Sequence, residues 1–189
     1  MHSLESVIYL IRHAESVYVE GQERSRGLTA AGLADAAALC NRLKTAAIEQ
    51  FFSSPYERAI QTIRPLADSC SLDITLVEDL RERAMGEFSP LSFIEAKRRV
   101  YEYVQFSFPN GESSVEAQSR IVEAVCQILK RHEGKTIVIG THGDIMTLFL
   151  NYFDPGYGFE CWQSTTMPDI YRVRWQGQKI INVEGLWNN

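Results

Sequence analysis

Short apolar runs alternate with amphipathic stretches along most of the chain. Four mainly apolar runs, at 7–11, 47–52, 74–77 and 136–139, are the length of strands and rich in aliphatic residues, as expected of strands buried on both faces. Between them the hydrophobic positions recur at helical spacing over 30–43, 56–68 and 113–130. Each pattern has a start signal: Thr29 for the first, Ser54 with Pro55 for the second, Ser113 or Ser114 for the third. Gly134 suits a helix end ahead of the last run. After Pro168, "DIYRVRW" and "KIINVEGLW" flank 176–178 around Gly177, the pattern of a β-hairpin. Alternating strands and helices imply parallel pairing with right-handed crossovers. The expectation is an α/β fold over 1–189: a mostly parallel central sheet flanked by helices, a small helical cap and a C-terminal β-hairpin.

Composition narrows the setting. With 189 residues, 45% hydrophobic and 23% charged, the chain suits one globular domain. A net charge of −5 argues against a nucleic-acid partner, which calls for a basic face. The apolar runs are too short to span a bilayer, so no membrane association is expected. Cys40, Cys70, Cys126 and Cys161 show no paired metal-binding spacing and are expected as reduced thiols. No leader-type segment precedes the first strand, and the expected location is cytoplasmic.

The ends of the four runs carry the chemistry. The first delivers Arg12 and His13; the second leads to Arg58 in "SSPYERAIQT"; the third to Glu82 in "EDLRERAMGE"; the fourth to His142 and Gly143 in "GTHGD". Carboxyl ends of parallel strands share one edge, where ligands bind. Two arginines offer planar donor forks that match phosphate oxygens and stay charged. A protonated His142 and helix-terminal amides would add to that phosphate pocket. A neutral histidine nitrogen can attack phosphorus, and a carboxylic acid can protonate the departing oxygen. The set is complete for phosphoryl transfer with no metal and no cofactor.

These motifs resemble the histidine phosphatase superfamily, which includes the cofactor-dependent phosphoglycerate mutases. "IRHAES" is similar to its R-H-G signature, and "GLTAAG" at 27–32, "SSPYERAIQT" at 53–62, "LRE" at 80–82, "GES" at 111–113 and "GTHG" at 140–143 follow in the family's order. The resemblance implies that His13 is phosphorylated in the intermediate, that Arg12, Arg58, His142 and Gly143 complete the phosphate pocket, and that Glu82 is the proton donor. Ala14 stands where glycine is usual, Ser16 for threonine, Val19 for asparagine and Gly27 for proline. None of these removes a charged or attacking group, and small rearrangements are expected over 14–19.

Glu87 and Asp144 are alternative acids, Asp144 also reading as a helix N-terminal carboxylate. Glu15 reads as a surface or salt-bridging residue, His132 as a cation-prone group in a helix's last turn, and His2 as a terminal residue without a role. Residues 83–112 should form the cap, with an amphipathic helix whose aromatics are mainly core. Lys97, Arg98 and Arg99 read as a solvated face, or else as a lure for anions. "NYFDPGYGFECWQ" reads as an aromatic loop walling the pocket. The leading expectation is a phosphomonoester phosphatase acting on a small phosphorylated substrate. The alternatives are a phosphoglycerate mutase and a weakly active phosphate-binding module.

Overall fold

The computed structural model describes residues 4–187; His2 lies outside them. Among the described residues six strands form one sheet, ordered β3-β2-β4-β1-β5-β6. They are β1 (Glu5–Arg12), β2 (Gln50–Ser53), β3 (Ile74–Leu76), β4 (Thr136–Thr141), β5 (Asp169–Gln176) and β6 (Lys179–Gly185). The first four run parallel. β5 lies antiparallel beside β1, and β6 returns beside β5 as the expected hairpin, with Gly177 at φ +63° in its turn.

The helices are α1 (Ala30–Leu43), α2 (Glu57–Cys70), α3 (Phe93–Glu102), α4 (Ser114–Arg131), α5 (Gly143–Phe153) and α6 (Phe159–Ser164). Strand periodicity sorts the two cores. Ile8, Leu10, Ile137 and Ile139 pack on one face with residues of α4 and α5; Tyr9, Ile11 and Val138 pack on the other with Leu39, Ile63 and Leu66 of α1 and α2. Burial on both faces is why β1 reads as an unbroken apolar run.

Thr29 caps α1 by accepting from the Gly32 amide at 3.0 Å, and Ser113, not Ser114, closes a capping box with Glu116 on α4. Ser54 does not cap α2. The N-cap of α2 is Tyr56, without a side-chain bond, and the Ser54 hydroxyl accepts from the Tyr56 amide at 3.2 Å while meeting His142 at 2.8 Å. Gly134 follows α4 at φ +78°, and His132 is the C-cap residue, its ring 5.4 Å from that of Phe52.

Two helices depart from the sequence reading. The first eight residues of α5, Gly143 to Leu150, are buried all round, so its sequence shows no polar stripe to mark a helix. The segment read as an aromatic loop begins with the end of α5 and runs into α6, six residues long, anchored by buried Phe159 and Trp162. One turn and a half after Pro155 and Gly158 is too short to show a period.

Residues 84–112 leave the sheet and return to the same point. The Glu112 amide donates to the Ala84 carbonyl at 2.8 Å, and that of Glu87 to Pro109 at 2.9 Å. Gly86, at φ +73°, is required there, since a Cβ would stand 2.3 Å from the Pro109 oxygen. Within the excursion α3 begins at a Ser92–Glu95 capping box, and Ala96, Val100 and Phe108 gather Met85, Phe88, Leu91 and Phe106 into a small core of their own. Most of its aromatics are thus core, as expected, while Phe93 and Tyr103 are exposed. Among the described residues no helix is long and apolar enough to cross a membrane.

Candidate active site

Arg12 ends β1 and lies level with Thr141 of β4, so His13 and His142 follow from adjacent strand ends. Their ring centroids are 5.2 Å apart. Arg58 enters from the first turn of α2 and donates through Nε to His13 Nε2 at 3.1 Å. The backbone after β1 is held by Thr62, whose Oγ1 accepts from the Ala14 amide at 2.9 Å and donates to the Arg58 carbonyl at 2.7 Å. Arg12, His13, Arg58, Glu82, His142 and Gly143 thus meet at one rim of the sheet.

The tautomer of His13 follows from its partners. Nδ1 lies 2.8 Å from the Ala14 carbonyl, which can only accept, so Nδ1 carries the proton. Nε2 faces an Arg58 N–H and therefore keeps its lone pair. Burial, then the charges of Arg58, Arg12 and Arg26, lower the His13 pKa to about 3, although the Ala14 contact opposes the shift. His13 is neutral across the physiological range.

Proton linkage turns this into a stability prediction. A folded pKa near 3 against an unfolded value near 6.5 means stability fully present above 6.5 and lost as pH falls toward 3. At pH 5 the loss from His13 alone is about 2 kcal/mol. Denaturant unfolding at pH 7 and pH 5 should show this decline, and His13→Ala should show a shallower one.

His142 departs from expectation. It is fully buried, and desolvation, followed by the neighbouring His13 ring and the charges of Arg58 and Arg12, holds its pKa well below 6.5, so in this structure the ring is neutral rather than protonated. Nε2 meets Ser54 Oγ at 2.8 Å. Among the described residues, His142 Nδ1 and Arg12 Nε are two of the few buried side-chain polar atoms without a partner. Burial lowers the pKa of Arg12 and Arg58 from the ordinary value without discharging either at neutral pH.

Gly143 makes room for Arg12: a Cβ there would stand 2.8 Å from both Cζ and Nε of the guanidinium. The Arg12 head is oriented by Thr165 at the end of α6, whose carbonyl and hydroxyl accept from the same terminal nitrogen at 3.0 and 2.5 Å. Arg58 is oriented by Glu23, which accepts through its carbonyl at 2.5 Å and its carboxylate at 3.3 Å. Neither Thr165 nor Glu23 carries a motif, and each reaches the site only through the fold. Of the departures over 14–27, Ala14 is buried against Leu28 and Ala36, and Ser16 accepts from Arg26 at 2.6 Å.

The three acids separate cleanly. Glu82 lies at the N-terminus of α5, accepting from the amides of Ile145 at 3.0 Å and Asp144 at 3.3 Å, next to His142 and Gly143. Glu87 is exposed and receives Asn110 Nδ2 at 2.8 Å. Asp144 is fully buried and accepts from Arg83 at 2.7 and 3.0 Å, from Tyr101 at 2.7 Å and from Lys97. Burial pushes its carboxyl up, but Lys97 and Arg83 outweigh it and hold Asp144 ionised. That removes Asp144 as a proton donor. It also corrects the reading of Lys97, which is buried; Arg98 and Arg99 are exposed, lying over the Phe159 and Phe106 rings. Glu15 binds Thr29 Oγ1 at 2.7 Å, a local bond at the start of α1.

Comparison with known proteins places the chain in a family. The family model of the histidine phosphatase superfamily (branch 1) matches residues 8–184. The chain belongs to that superfamily and is an enzyme of the phosphatase type. It is 34% identical over 149 residues to a probable phosphoglycerate mutase of Enterobacter sp. (strain 638), covering 72% of this chain and 69% of the relative. It is 31% identical over 155 residues to the metal-independent phosphoserine phosphatase of Arabidopsis thaliana, covering 74% of this chain and 65% of the relative. The solved structure of YhfR from Bacillus stearothermophilus shares the fold, with a TM-score of 0.75 at 24% identity over 93% of this chain and 94% of that one.

Proposed function

We propose that the protein is a metal-independent phosphomonoester phosphatase working through a phosphohistidine on His13, with a small phosphorylated molecule as substrate. One observation carries the reading: His13 is neutral, and its lone-pair nitrogen lies 3.1 Å from the Nε of a buried arginine. A phosphoryl group arriving there meets a nucleophile and a guanidinium together.

In the first step Nε2 attacks phosphorus in line; the N–P bond forms as the ester P–O bond breaks. Arg58 turns its donors from Nε2 to the phosphoryl oxygens, and Arg12 and Gly143 bind the same group. The unpartnered Arg12 Nε and His142 Nδ1 suit that role, since each gains an acceptor. A bound dianion also favours a proton on His142, returning it to the cationic form. Glu82 protonates the leaving oxygen. In the second step water attacks phosphorus, Glu82 takes its proton, and the N–P bond breaks to release phosphate. The excursion over 83–112 acts as the cap that excludes bulk water.

The mutase reading is favoured by the identity to a probable phosphoglycerate mutase. Phosphatase is the stronger reading, because a bisphosphate needs a second set of free cations. Here Arg83 and Lys97 are held by Asp144, Arg26 by Glu23, and Arg24 by Glu78. The short cap, about thirty residues between Glu82 and the next motif, agrees. The complete set of polar groups weighs against a merely phosphate-binding module.

A panel of phosphorylated metabolites, including 3-phosphoglycerate with and without its bisphosphate, tests the reading. Hydrolysis should dominate, and mutase turnover exceeding hydrolysis would overturn it. The arginines supply the charge that a metal would otherwise supply, and among the described residues no group of three or more His, Cys, Asp or Glu is placed to hold an ion. EDTA should therefore leave turnover unchanged, while vanadate should compete with substrate. Loss in EDTA that Mg²⁺ restores contradicts the mechanism.

A further inference from the structure

We propose that the buried ion pair of Arg83 and Asp144 is a positioning device for Glu82, and that Asp144 serves the reaction only through it. The inference rests on the reading of Glu82 as proton donor. The strap 80–83 is pinned at both ends. At one, the Leu80 carbonyl accepts from Thr141 Oγ1 at 2.9 Å. At the other, Arg83 forks onto both oxygens of Asp144 and gives a third bond to Ser114 Oγ at 2.6 Å. Glu82 lies between the anchors.

Asp144 grips this strap twice. Its side chain holds residue 83, and its own amide, with those of Ile145 and Arg83, donates to the Glu82 carboxylate at 3.3, 3.0 and 3.0 Å. A glutamate side chain has three rotatable bonds, and proton transfer needs its oxygen within about 2.6–3.2 Å of the acceptor. Fixing the neighbouring residue and the carboxylate to one helix end removes most of that freedom before substrate arrives. Lys97 and Tyr101 bring α3 onto the same carboxylate, tying the cap to the strap. A buried cluster of this kind is weak evidence of stability, since apolar side chains often serve as well. Its placement beside the acid is what argues for positioning.

Two substitutions each leave Asp144 with one cation. Arg83→Met leaves Lys97; Lys97→Met leaves the Arg83 fork. Turnover of an alkyl phosphate is compared with the phosphorylation burst on p-nitrophenyl phosphate, whose leaving group hardly needs a proton. Arg83→Met should slow the alkyl ester about 10- to 100-fold, the scale of a misplaced catalytic group, and the burst far less. Lys97→Met should affect both alike. Arg83→Lys, which keeps the charge without the fork, should show a smaller contrast, and decides the matter if the methionine variant does not fold. In a Glu82→Gln background, Arg83→Met should add no contrast, because no acid remains to position. Equal losses on both substrates from the Arg83 variants, or a contrast that deepens without Glu82, overturn the proposal. If Glu82→Gln itself shows no contrast, the donor reading fails instead, and the two failures are distinguishable.

Discussion

His13→Ala should lose essentially all turnover, on the order of 10⁴-fold or more, the scale seen when a covalent nucleophile is deleted. The loss should appear on aryl and alkyl phosphates alike, because both must first transfer the phosphoryl group. No neighbour can substitute: His142 is turned to Ser54, and its ring centroid is 5.2 Å from that of His13. The variant should still fold. His13 stands beyond the end of β1 rather than within either apolar core, and Arg58 keeps its bonds to Glu23. Circular dichroism and single-turnover kinetics on the same sample check both halves. A folded variant retaining a tenth of the burst would remove His13 from the chemistry.

Glu82→Gln should divide substrates by leaving group. General acid catalysis contributes about 10²–10⁴-fold, or roughly 3–5 kcal/mol of barrier, when the leaving oxygen needs a proton. An alkoxide needs it; p-nitrophenolate hardly does. The variant should lose activity of that order on an alkyl phosphate, while the burst on p-nitrophenyl phosphate slows much less. Steady-state turnover of the aryl ester should still fall, because Glu82 also activates water in the second step. Glutamine keeps the shape and an acceptor oxygen for the amides at the start of α5, so misfolding is not the expected cause. Glu87→Gln should show no contrast, its carboxylate being exposed and bonded to Asn110. A contrast at Glu87 and none at Glu82 would reassign the donor.

How far the sequence revealed this site depends on the length scale of each signal. Arg12, His13, Arg58, Glu82 and His142 were legible because each lies at the carboxyl end of a strand or within six residues after it, and parallel strands share an edge. The tautomer of His13 was not, since it depends on how the ring turns between the carbonyl of the next residue and a guanidinium 45 residues away. Thr165, 153 residues from Arg12, reaches it because β5 pairs with β1, and no local pattern announces that. Lys97 read as surface because it sits in a run of three cations; only the approach of α3 to Asp144 shows that it is buried. His142 read as protonated from its expected partner, whereas burial among cations sets its charge before that partner arrives. In the fold, α5 escaped notice for the opposite reason to α6: the first eight residues of one are buried on every side, and the other is too short.

The central claim is that phosphate passes through a nitrogen of His13. Enzyme mixed with radiolabelled substrate, quenched within the burst and digested, should yield acid-labile, base-stable phosphate on the peptide containing His13, with no label in His13→Ala. Label on a serine or cysteine peptide, or equal label in His13→Ala, contradicts the account.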